Sequence, residues 1–108
     1  MKAIVCYVRP HKLEEIKTAL VDLGAMGMTV CDARGCGSPR ADDPDWVIRM
    51  PVRTRLELVV PDDRVEETIE MILRNARTGQ ADDGKIFVLP IESAIRVRTG
   101  EEGEIAVT

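Results

Sequence analysis

The apolar and polar positions along the chain predict a strand followed by a helix at its start. Lys2–Val8 is a short, β-rich apolar run that closes at Pro10, a residue that cannot continue a strand ladder. Apolar residues then recur at helical spacing from about residue 12 to residue 23, and Gly24 follows as a stop signal. The pattern therefore predicts strand one at 2–8 and an amphipathic helix at 12–23.

The following part of the chain predicts a second unit of the same kind. Met28–Ala33 is expected to form strand two, and glycine and proline residues then break regular structure. Arg53–Val60 alternates polar and apolar side chains, which is typical of a strand with one buried face. Helical spacing returns at 63–77, and Lys85–Leu89 and Ala94–Thr99 predict two more short strands.

This order of elements predicts the fold class. Two strand-helix-strand units, each too small to bury its own sheet face, give an α+β, ferredoxin-like βαββαβ sandwich with an extra C-terminal strand. A length of 108 residues predicts one domain, 1–108. A domain of this size removes only about 65% of its unfolded surface from water, so the uncovered sheet face predicts a homotrimer.

The charge balance narrows the range of partners. A formal charge of -4 and a pI near 5.0 argue against binding to nucleic acid or to an anionic membrane. Of the 15 basic residues, 11 are Arg, whose planar fork of donors suits phosphates and carboxylates, so a local anion site stays open. The sequence has neither a run of about 20 apolar residues nor a signal-peptide pattern, which predicts no membrane insertion and a cytoplasmic protein.

The cysteines do not predict a metal site. Cys6, Cys31 and Cys36 lack the CxxC or CxxH spacing of metal ligands, and His11 is the only histidine. Cys6 and Cys31 fall in predicted strands, where small buried thiols are common. We expect neither a metal nor a catalytic cofactor.

Two groups of residues have the chemistry to hold a phosphate. Asp83-Gly84-Lys85 predicts a turn in which backbone N–H groups approach an anion while Lys85 adds a positive charge. Arg96 and Arg98 are two apart in the predicted last strand, which would place both guanidiniums on one face about 7 Å apart. An ordinary turn and two solvated arginines explain the same residues, so both interpretations stay open.

Three further residues are weaker candidates for a binding site. Gly35 and Gly37 offer a flexible backbone cradle, although they serve equally well as a loop hinge. Glu57 is able to accept hydrogen bonds from a ribose, but pairing with Arg55 is an equal alternative.

Five stretches of the chain form a recognisable set of motifs: Lys12-Leu13-x-x-Ile16-x-x-Ala19-Leu20, Gly27-Met28-Thr29-Val30, Gly35-x-Gly37, Thr78-Gly79-x-x-x-Asp83-Gly84-Lys85-Ile86-Phe87-Val88 and Arg96-Val97-Arg98-Thr99-Gly100-Glu101-Glu102. In these motifs the chain resembles the PII signal-transduction proteins, and the resemblance covers nearly all of 1–34 and 53–102.

The resemblance implies a regulator rather than an enzyme. Such proteins are homotrimers whose inter-subunit clefts bind ADP, AMP or ATP, and whose loop, here about 36–53, docks onto a transporter, an enzyme or another target protein. The flexible tail would be about 100–108. Carried over residue by residue, the nucleotide-binding positions are Thr29, Gly35, Cys36, Gly37, Glu57, Val59, Gly84, Lys85, Arg96 and Arg98.

The loop departs from the family pattern in three ways. The family Gln that coordinates magnesium and helps bind 2-oxoglutarate is missing, because Gly37 is followed by Ser38 and Pro39. The family loop tyrosine has no counterpart, since Tyr7 is the only tyrosine. The loop is also several residues shorter than usual. Trp46 in this loop is a candidate anchor for a partner protein, although packing onto its own loop is as plausible.

Two charged residues near the expected phosphates also differ from the family. Asp82 replaces a Gly, and its carboxylate is expected to disfavour a γ-phosphate and to favour ADP or AMP over ATP. Arg53 stands where the family has a Lys that contacts 2-oxoglutarate, and with Lys85 it predicts a small-anion site. These changes point to a divergent variant of the carboxysome-associated kind, with bicarbonate as co-ligand and a partner linked to inorganic-carbon uptake.

Two alternatives remain at this level. One is an ordinary PII nitrogen regulator that senses 2-oxoglutarate and ATP. The other is a small acylphosphatase-like hydrolase, which would also use arginine and a cradle of backbone N–H groups to hold its phosphate.

Overall fold

A computed structural model describes residues 1–37, 42, 45 and 49–108, and these form a four-stranded antiparallel sheet with two helices packed on one face. The elements in chain order are β1 (Lys2–Val8), α1 (Leu13–Asp22), β2 (Thr29–Arg34), β3 (Val52–Val60), α2 (Val65–Ala76) and β4 (Gly84–Pro90). Short 3-10 turns, Pro10–Lys12 and Asp62–Arg64, lead into the two helices, and a third 3-10 segment lies at Gly103–Val107. The predicted α+β, ferredoxin-like sandwich is confirmed.

The strand order is β2-β3-β1-β4, and the sequence of each inner strand explains its place. β1 is almost continuously buried, as expected for a strand flanked on both sides by β3 and β4. In β3 every second residue is buried, so one face of the strand meets the helices and the other carries Arg53, Arg55 and Glu57. β2 and β4 are the edge strands.

The core lies between the sheet and the two helices. Its buried residues are Ile4, Cys6, Val8, Ile16, Leu20, Leu56, Leu58, Val60, Ile72 and Ala76. The buried Thr68 hydroxyl is satisfied because it donates to the Arg64 carbonyl oxygen at 2.7 Å. Burial raises the pKa of the Cys6 thiol to about 11, which makes this cysteine unreactive at neutral pH.

The other face of the sheet is open in the single chain. Phe87 and Leu89 on this face are 49% and 45% exposed, and the Phe87 ring meets Tyr7 edge-on with centroids 6.4 Å apart. Cys31, on the edge strand β2, is also exposed, which corrects the expectation of a buried thiol. An apolar sheet face of this kind needs a cover, so the prediction of a trimer keeps its physical basis.

The predicted extra C-terminal strand at Ala94–Thr99 is wrong. The chain turns back on itself there, with one antiparallel bridge between Ile95 and Glu102 and a hydrogen bond from the Gly100 amide to the Arg96 carbonyl oxygen at 2.7 Å. Gly100 has a φ of 73°, which lets the turn close. Arg96 therefore lies before a turn and Arg98 within it, and they do not share the face of a strand.

The described residues contain neither a membrane-spanning helix nor a cluster of metal ligands. Within these ranges, no helix is long and apolar enough to cross a membrane. The same ranges hold no group of three or more His, Cys, Asp or Glu side chains with the arrangement of a metal site.

Candidate functional site

The residues predicted to bind nucleotide fall into two groups at opposite ends of the pair formed by β2 and β3. Thr29 pairs with Glu57 at one end of this ladder, and Arg34 pairs with Val52 at the other. Five residue steps along β2 separate the two ends by about 17 Å. Each end has its own pocket, called here the tail-end pocket and the loop-end pocket.

The loop-end pocket brings together most residues expected near phosphates. It has a volume of about 260 Å³ and is lined by Tyr7, Ala33, Arg34, Gly35, Cys36, Gly37, Arg53, Ala81, Asp82, Gly84, Lys85 and Phe87. The Gly35 amide donates to the Pro51 carbonyl oxygen at 3.1 Å, which ties the two bases of the loop together. Among the described residues Lys85 forms no ion pair, and its charge is available to an anion.

Asp82 is held by two arginines rather than facing the pocket as an isolated charge. One carboxylate oxygen, Oδ1, contacts Nη2 of Arg9, and Oδ2 lies 3.5 Å from Nη2 of Arg53. The three side chains are only 14 to 18% exposed. Nη2 of Arg9 also donates a hydrogen bond to the side-chain oxygen of Gln80 at 3.0 Å. The carboxylate that was expected to repel a phosphate is thus largely neutralised by its own neighbours.

Asp83 fixes the turn that precedes β4. Its Oδ2 accepts hydrogen bonds from the Thr78 amide at 2.7 Å and from the Gly79 amide at 2.8 Å, and its Oδ1 accepts from the Thr78 hydroxyl. The Thr78 hydroxyl, with these amides and Arg9, lowers the pKa of Asp83 to about 2, so Asp83 stays charged. The turn therefore presents Gly84 and Lys85 to the loop-end pocket in a fixed position.

The tail-end pocket brings together the residues expected near the base and ribose, with the end of the chain beside them. Its volume is about 460 Å³, and its lining is Met26, Gly27, Met28, Thr29, Glu57, Leu58, Val59, Arg96, Ala106, Val107 and Thr108. Glu57 accepts from Nη1 of Arg55 at 2.8 Å, so the alternative ion pair weighed for this residue does form.

Arg96 anchors the last residues of the chain. Its Nη1 donates to Oε1 of Glu101 at 2.8 Å, and its Nη2 donates to the carbonyl oxygens of Ile105 at 2.7 Å and of Thr108 at 3.1 Å. The Thr99 hydroxyl and the Arg96 guanidinium lower the pKa of Glu101. Arg98 is exposed and lines neither pocket.

Sequence patterns missed one residue of the site. Arg9 is separated from Asp82 by 73 positions, and no local pattern relates the two. Trp46, the candidate partner anchor, lies outside the described residues, as do Ser38 and Pro39. At the two ends of the loop, the structure describes Gly35–Gly37, which follow β2, and Pro51, which precedes β3.

The comparison with known proteins agrees with this fold and with these motifs. The model of the family "Nitrogen regulatory protein P-II" matches residues 1–101. The chain belongs to the P-II family. Among P-II relatives, the protein of Haemophilus influenzae is 40% identical over 112 residues, covering 99% of this chain and 100% of the relative. "Nitrogen regulatory protein P-II 2" of Methanothermobacter thermautotrophicus is 42% identical, covering 99% and 97%.

A solved P-II structure has the same architecture. The crystal structure of Arabidopsis thaliana PII bound to citrate superimposes with a TM-score of 0.83 at 39% identity, over 99% of this chain and 89% of that chain. The predicted family is therefore confirmed. P-II proteins are non-catalytic regulators of signal transduction, so the alternative of an acylphosphatase-like hydrolase is set aside.

Proposed function

We propose that this P-II protein is a homotrimeric regulator that binds ADP or AMP in clefts between subunits and signals through the loop at about 36–53 to a target protein. The observation that carries the proposal is the division of the predicted nucleotide residues between two pockets about 17 Å apart on one chain. A single nucleotide is too short to place its phosphates in the loop-end pocket and its base in the tail-end pocket of the same chain.

Assembly of three chains resolves this division. In a ring with threefold symmetry every interface is heterologous, which allows the loop-end pocket of one subunit to meet the tail-end pocket of its neighbour. The apolar open face of the sheet, with Phe87 and Leu89, is the surface that such a ring would bury. Each cleft would then combine Gly84 and Lys85 from one chain with Thr29 and Glu57 from the next.

The proposed roles follow from the chemistry of each group. The fixed turn at Gly84 and Lys85 supplies a backbone amide and a positive charge for the phosphates, with Gly35, Cys36 and Gly37 closing over them. Thr29, Glu57 and the backbone of Val59 face the base and ribose. Arg96 and Arg98 would add phosphate contacts, for which Arg96 exchanges at least one of its present carbonyl acceptors.

We assign the preference for ADP or AMP over ATP to Asp82. Its carboxylate already occupies Arg9 and Arg53, so a γ-phosphate entering this region meets arginines whose charge is balanced. Asp82→Gly should therefore raise the affinity for ATP relative to ADP by about tenfold, because it removes a carboxylate that lies against both guanidiniums. Calorimetric titration of both nucleotides into both proteins checks this, and an unchanged ratio removes Asp82 as the cause.

We propose bicarbonate as the co-ligand. It would bind at Lys85 and at Arg53, the second residue of the small-anion site, and Arg53 also contacts Asp82. A compact monoanion needs neither the magnesium nor the Gln that the loop of this chain lacks. The altered loop, with Trp46 as its anchor, would then act on a target linked to inorganic-carbon uptake or carboxysomes. The relatives named nitrogen regulatory proteins favour the second candidate, a sensor of 2-oxoglutarate and ATP.

Calorimetric titration of ADP at fixed pH and ionic strength tests the function. We expect one ADP per subunit in the wild type, and a loss of affinity of about tenfold or more in Lys85→Ala, because a charge-assisted contact to phosphate is removed. Lys17→Ala is the matched control, since it removes an equal charge from a partly exposed lysine that pairs with Glu14 on α1. Absence of ADP binding to the wild type overturns the nucleotide function.

Repeating the titration with bicarbonate in place of chloride tests the co-ligand. Linkage requires that a coupled anion change the apparent ADP affinity, so tighter binding in bicarbonate supports the inorganic-carbon role. Equal affinities in the two salts would leave a sensor of adenine nucleotides alone, and tighter binding of ATP with 2-oxoglutarate would favour the second candidate.

A further inference from the structure

We propose that Arg55 is a positioning residue for Glu57 and that Tyr7 anchors Arg55 in turn, so that these two residues set how well the tail-end pocket distinguishes a ribose from a deoxyribose. This inference rests on the proposed function in one respect, namely that the ribose of the nucleotide faces Glu57. It gives a role to Arg55 and Tyr7, neither of which the sequence patterns placed at the nucleotide.

Arg55 uses one oxygen of the Glu57 carboxylate and leaves the other for a ligand. Nη1 of Arg55 donates to Oε2 of Glu57 at 2.8 Å, and among the described residues Oε1 of Glu57 accepts no hydrogen bond. Glu57 lines the tail-end pocket, and its side chain is 37% exposed. An ionised carboxylate is an acceptor only, so the second oxygen suits a hydroxyl donor. The ion pair and a contact with a ribose are therefore compatible, although the sequence alone left them as alternatives.

A second contact fixes the guanidinium of Arg55. Its Nε donates to the Tyr7 hydroxyl at 3.3 Å. Tyr7 lies opposite Arg55 in the register of β1 and β3, and its ring meets Phe87 edge-on. Both Glu57 and Tyr7 raise the pKa of Arg55, so the guanidinium stays charged. A side chain held at two points holds the carboxylate of Glu57 in place before a ligand arrives, which lowers the ordering cost of binding.

The place of Arg55 on the sheet means that it acts through Glu57. Glu57 lies opposite Thr29 in the register of β2 and β3, and both line the tail-end pocket. Arg55 lies opposite Cys31, one position further from that end of the strands, and it lines neither pocket. Arg55 therefore affects the nucleotide by orienting the carboxylate and not by touching the ligand.

The charge of Arg55 has an effect of its own on an anionic ligand. Glu57 alone would place a negative charge in a pocket that receives a nucleotide, and like charges repel. The guanidinium at 2.8 Å offsets that charge. Lysine separates the two effects, because it keeps the positive charge but lacks the planar fork that contacts Tyr7 and Glu57 together.

Calorimetric titration of ADP and of dideoxy-ADP, an analogue without the two ribose hydroxyls, tests the proposal on the whole chain. The ratio of the two affinities measures the contact with the ribose, and we expect about tenfold or more in the wild type, because the analogue loses a hydrogen bond to a charged acceptor. Arg55→Met and Glu57→Gln should each lower the ratio to about threefold. Tyr7→Phe, which keeps the aromatic ring, should give a ratio between these values. Arg55→Lys should lower the ratio but keep the ADP affinity within about threefold of the wild type.

The double variant shows whether Arg55 acts through Glu57. Because both substitutions weaken the same contact, Arg55→Met combined with Glu57→Gln should lower the affinity ratio no further than Glu57→Gln alone. An additive loss in the double variant would overturn the positioning role, and so would a wild-type ratio in Arg55→Met. Where Arg55→Met does not fold, as judged by circular dichroism, Tyr7→Phe decides in its place, and a wild-type ratio in that variant has the same meaning.

Arg74→Met is the matched control for the loss of a guanidinium from an ion pair. Nη2 of Arg74 lies 2.8 Å from Oε1 of Glu70 on the exposed surface of α2, and Arg74 lines neither pocket. Arg74→Met removes an equal charge, so its ADP affinity and its affinity ratio should be those of the wild type. An equal loss of discrimination in Arg74→Met and Arg55→Met would mean that net charge is the cause, contrary to the proposal.

The same titrations separate this proposal from the nucleotide function. ADP binding by the wild type with an affinity ratio near one rejects the role of Arg55 and leaves the nucleotide function standing. Absence of ADP binding to the wild type overturns the nucleotide function and this proposal with it. Tighter binding of ADP than of dideoxy-ADP, with the difference reduced in Arg55→Met, supports both.

Discussion

Gly84→Ala is expected to destabilise the folded chain by about 3 kcal/mol or more. Gly84 has a φ of 121°, a backbone conformation that alanine adopts only under strain of about 1 to 3 kcal/mol. A Cβ at this position would also overlap the carbonyl oxygen of Tyr7, a backbone atom within the sheet. Because Gly84 pairs with Val8 in the register of β1 and β4, relief of the overlap requires the first pair of that ladder to separate.

Urea unfolding at one protein concentration measures the effect, and Gly79→Ala is its control. Gly79 also has a positive φ, 88°, but no atom lies within 4 Å of the place where its Cβ would stand. Gly79→Ala should therefore cost only the strain, about 1 kcal/mol, and the difference between the two variants reports the overlap with Tyr7. Equal destabilisation of the two variants would contradict the prediction, because the sheet would then accommodate a Cβ at position 84 with no additional loss of unfolding free energy.

Mixing two inactive variants should restore nucleotide binding. Lys85→Ala changes the loop-end pocket and Arg96→Ala changes the tail-end pocket, and each homotrimer is expected to lose ADP affinity by about tenfold or more. When each cleft combines the two pockets of different chains, a mixed ring of three contains about one cleft in three with both native halves. ADP titration of the mixed trimer should then show that fraction of sites at the wild-type affinity.

Mixed trimers can be obtained by co-expression with two affinity tags and purification on both. Two differently tagged copies of the same variant, treated identically, are the control, and they should show no tight sites. A mixed trimer without tight sites would mean that the nucleotide lies within one chain, contrary to the proposed cleft.

Sequence patterns were sufficient where structure is set by near neighbours along the chain. β1 matches its predicted bounds because an apolar run ends at a proline, which terminates a strand whatever surrounds it. The alternation in β3 predicted its buried face correctly because one side of an antiparallel strand meets the helices. Local chemistry determines both features.

The failures involve partners that are remote in sequence. The segment at 94–99 has the alternation of a strand, but a strand needs a neighbour to pair with, and among the described residues it forms one bridge, between Ile95 and Glu102. The charge at Asp82 was recognised, whereas its pairing with Arg9 depends on the approach of two segments brought together by the sheet. The division of the site between two ends of β2 likewise follows from strand register and not from any motif.

The separation of the two pockets has a consequence for how the protein would respond to its own abundance. A cleft that forms only between chains ties nucleotide occupancy to association by mass action, so dilution weakens apparent affinity and nucleotide in turn holds the ring together. A ligand present at 100 times its dissociation constant adds about 2.7 kcal/mol per site to the assembled form. The amount of protein made would thus set the threshold of the signal, alongside the concentration of the nucleotide itself.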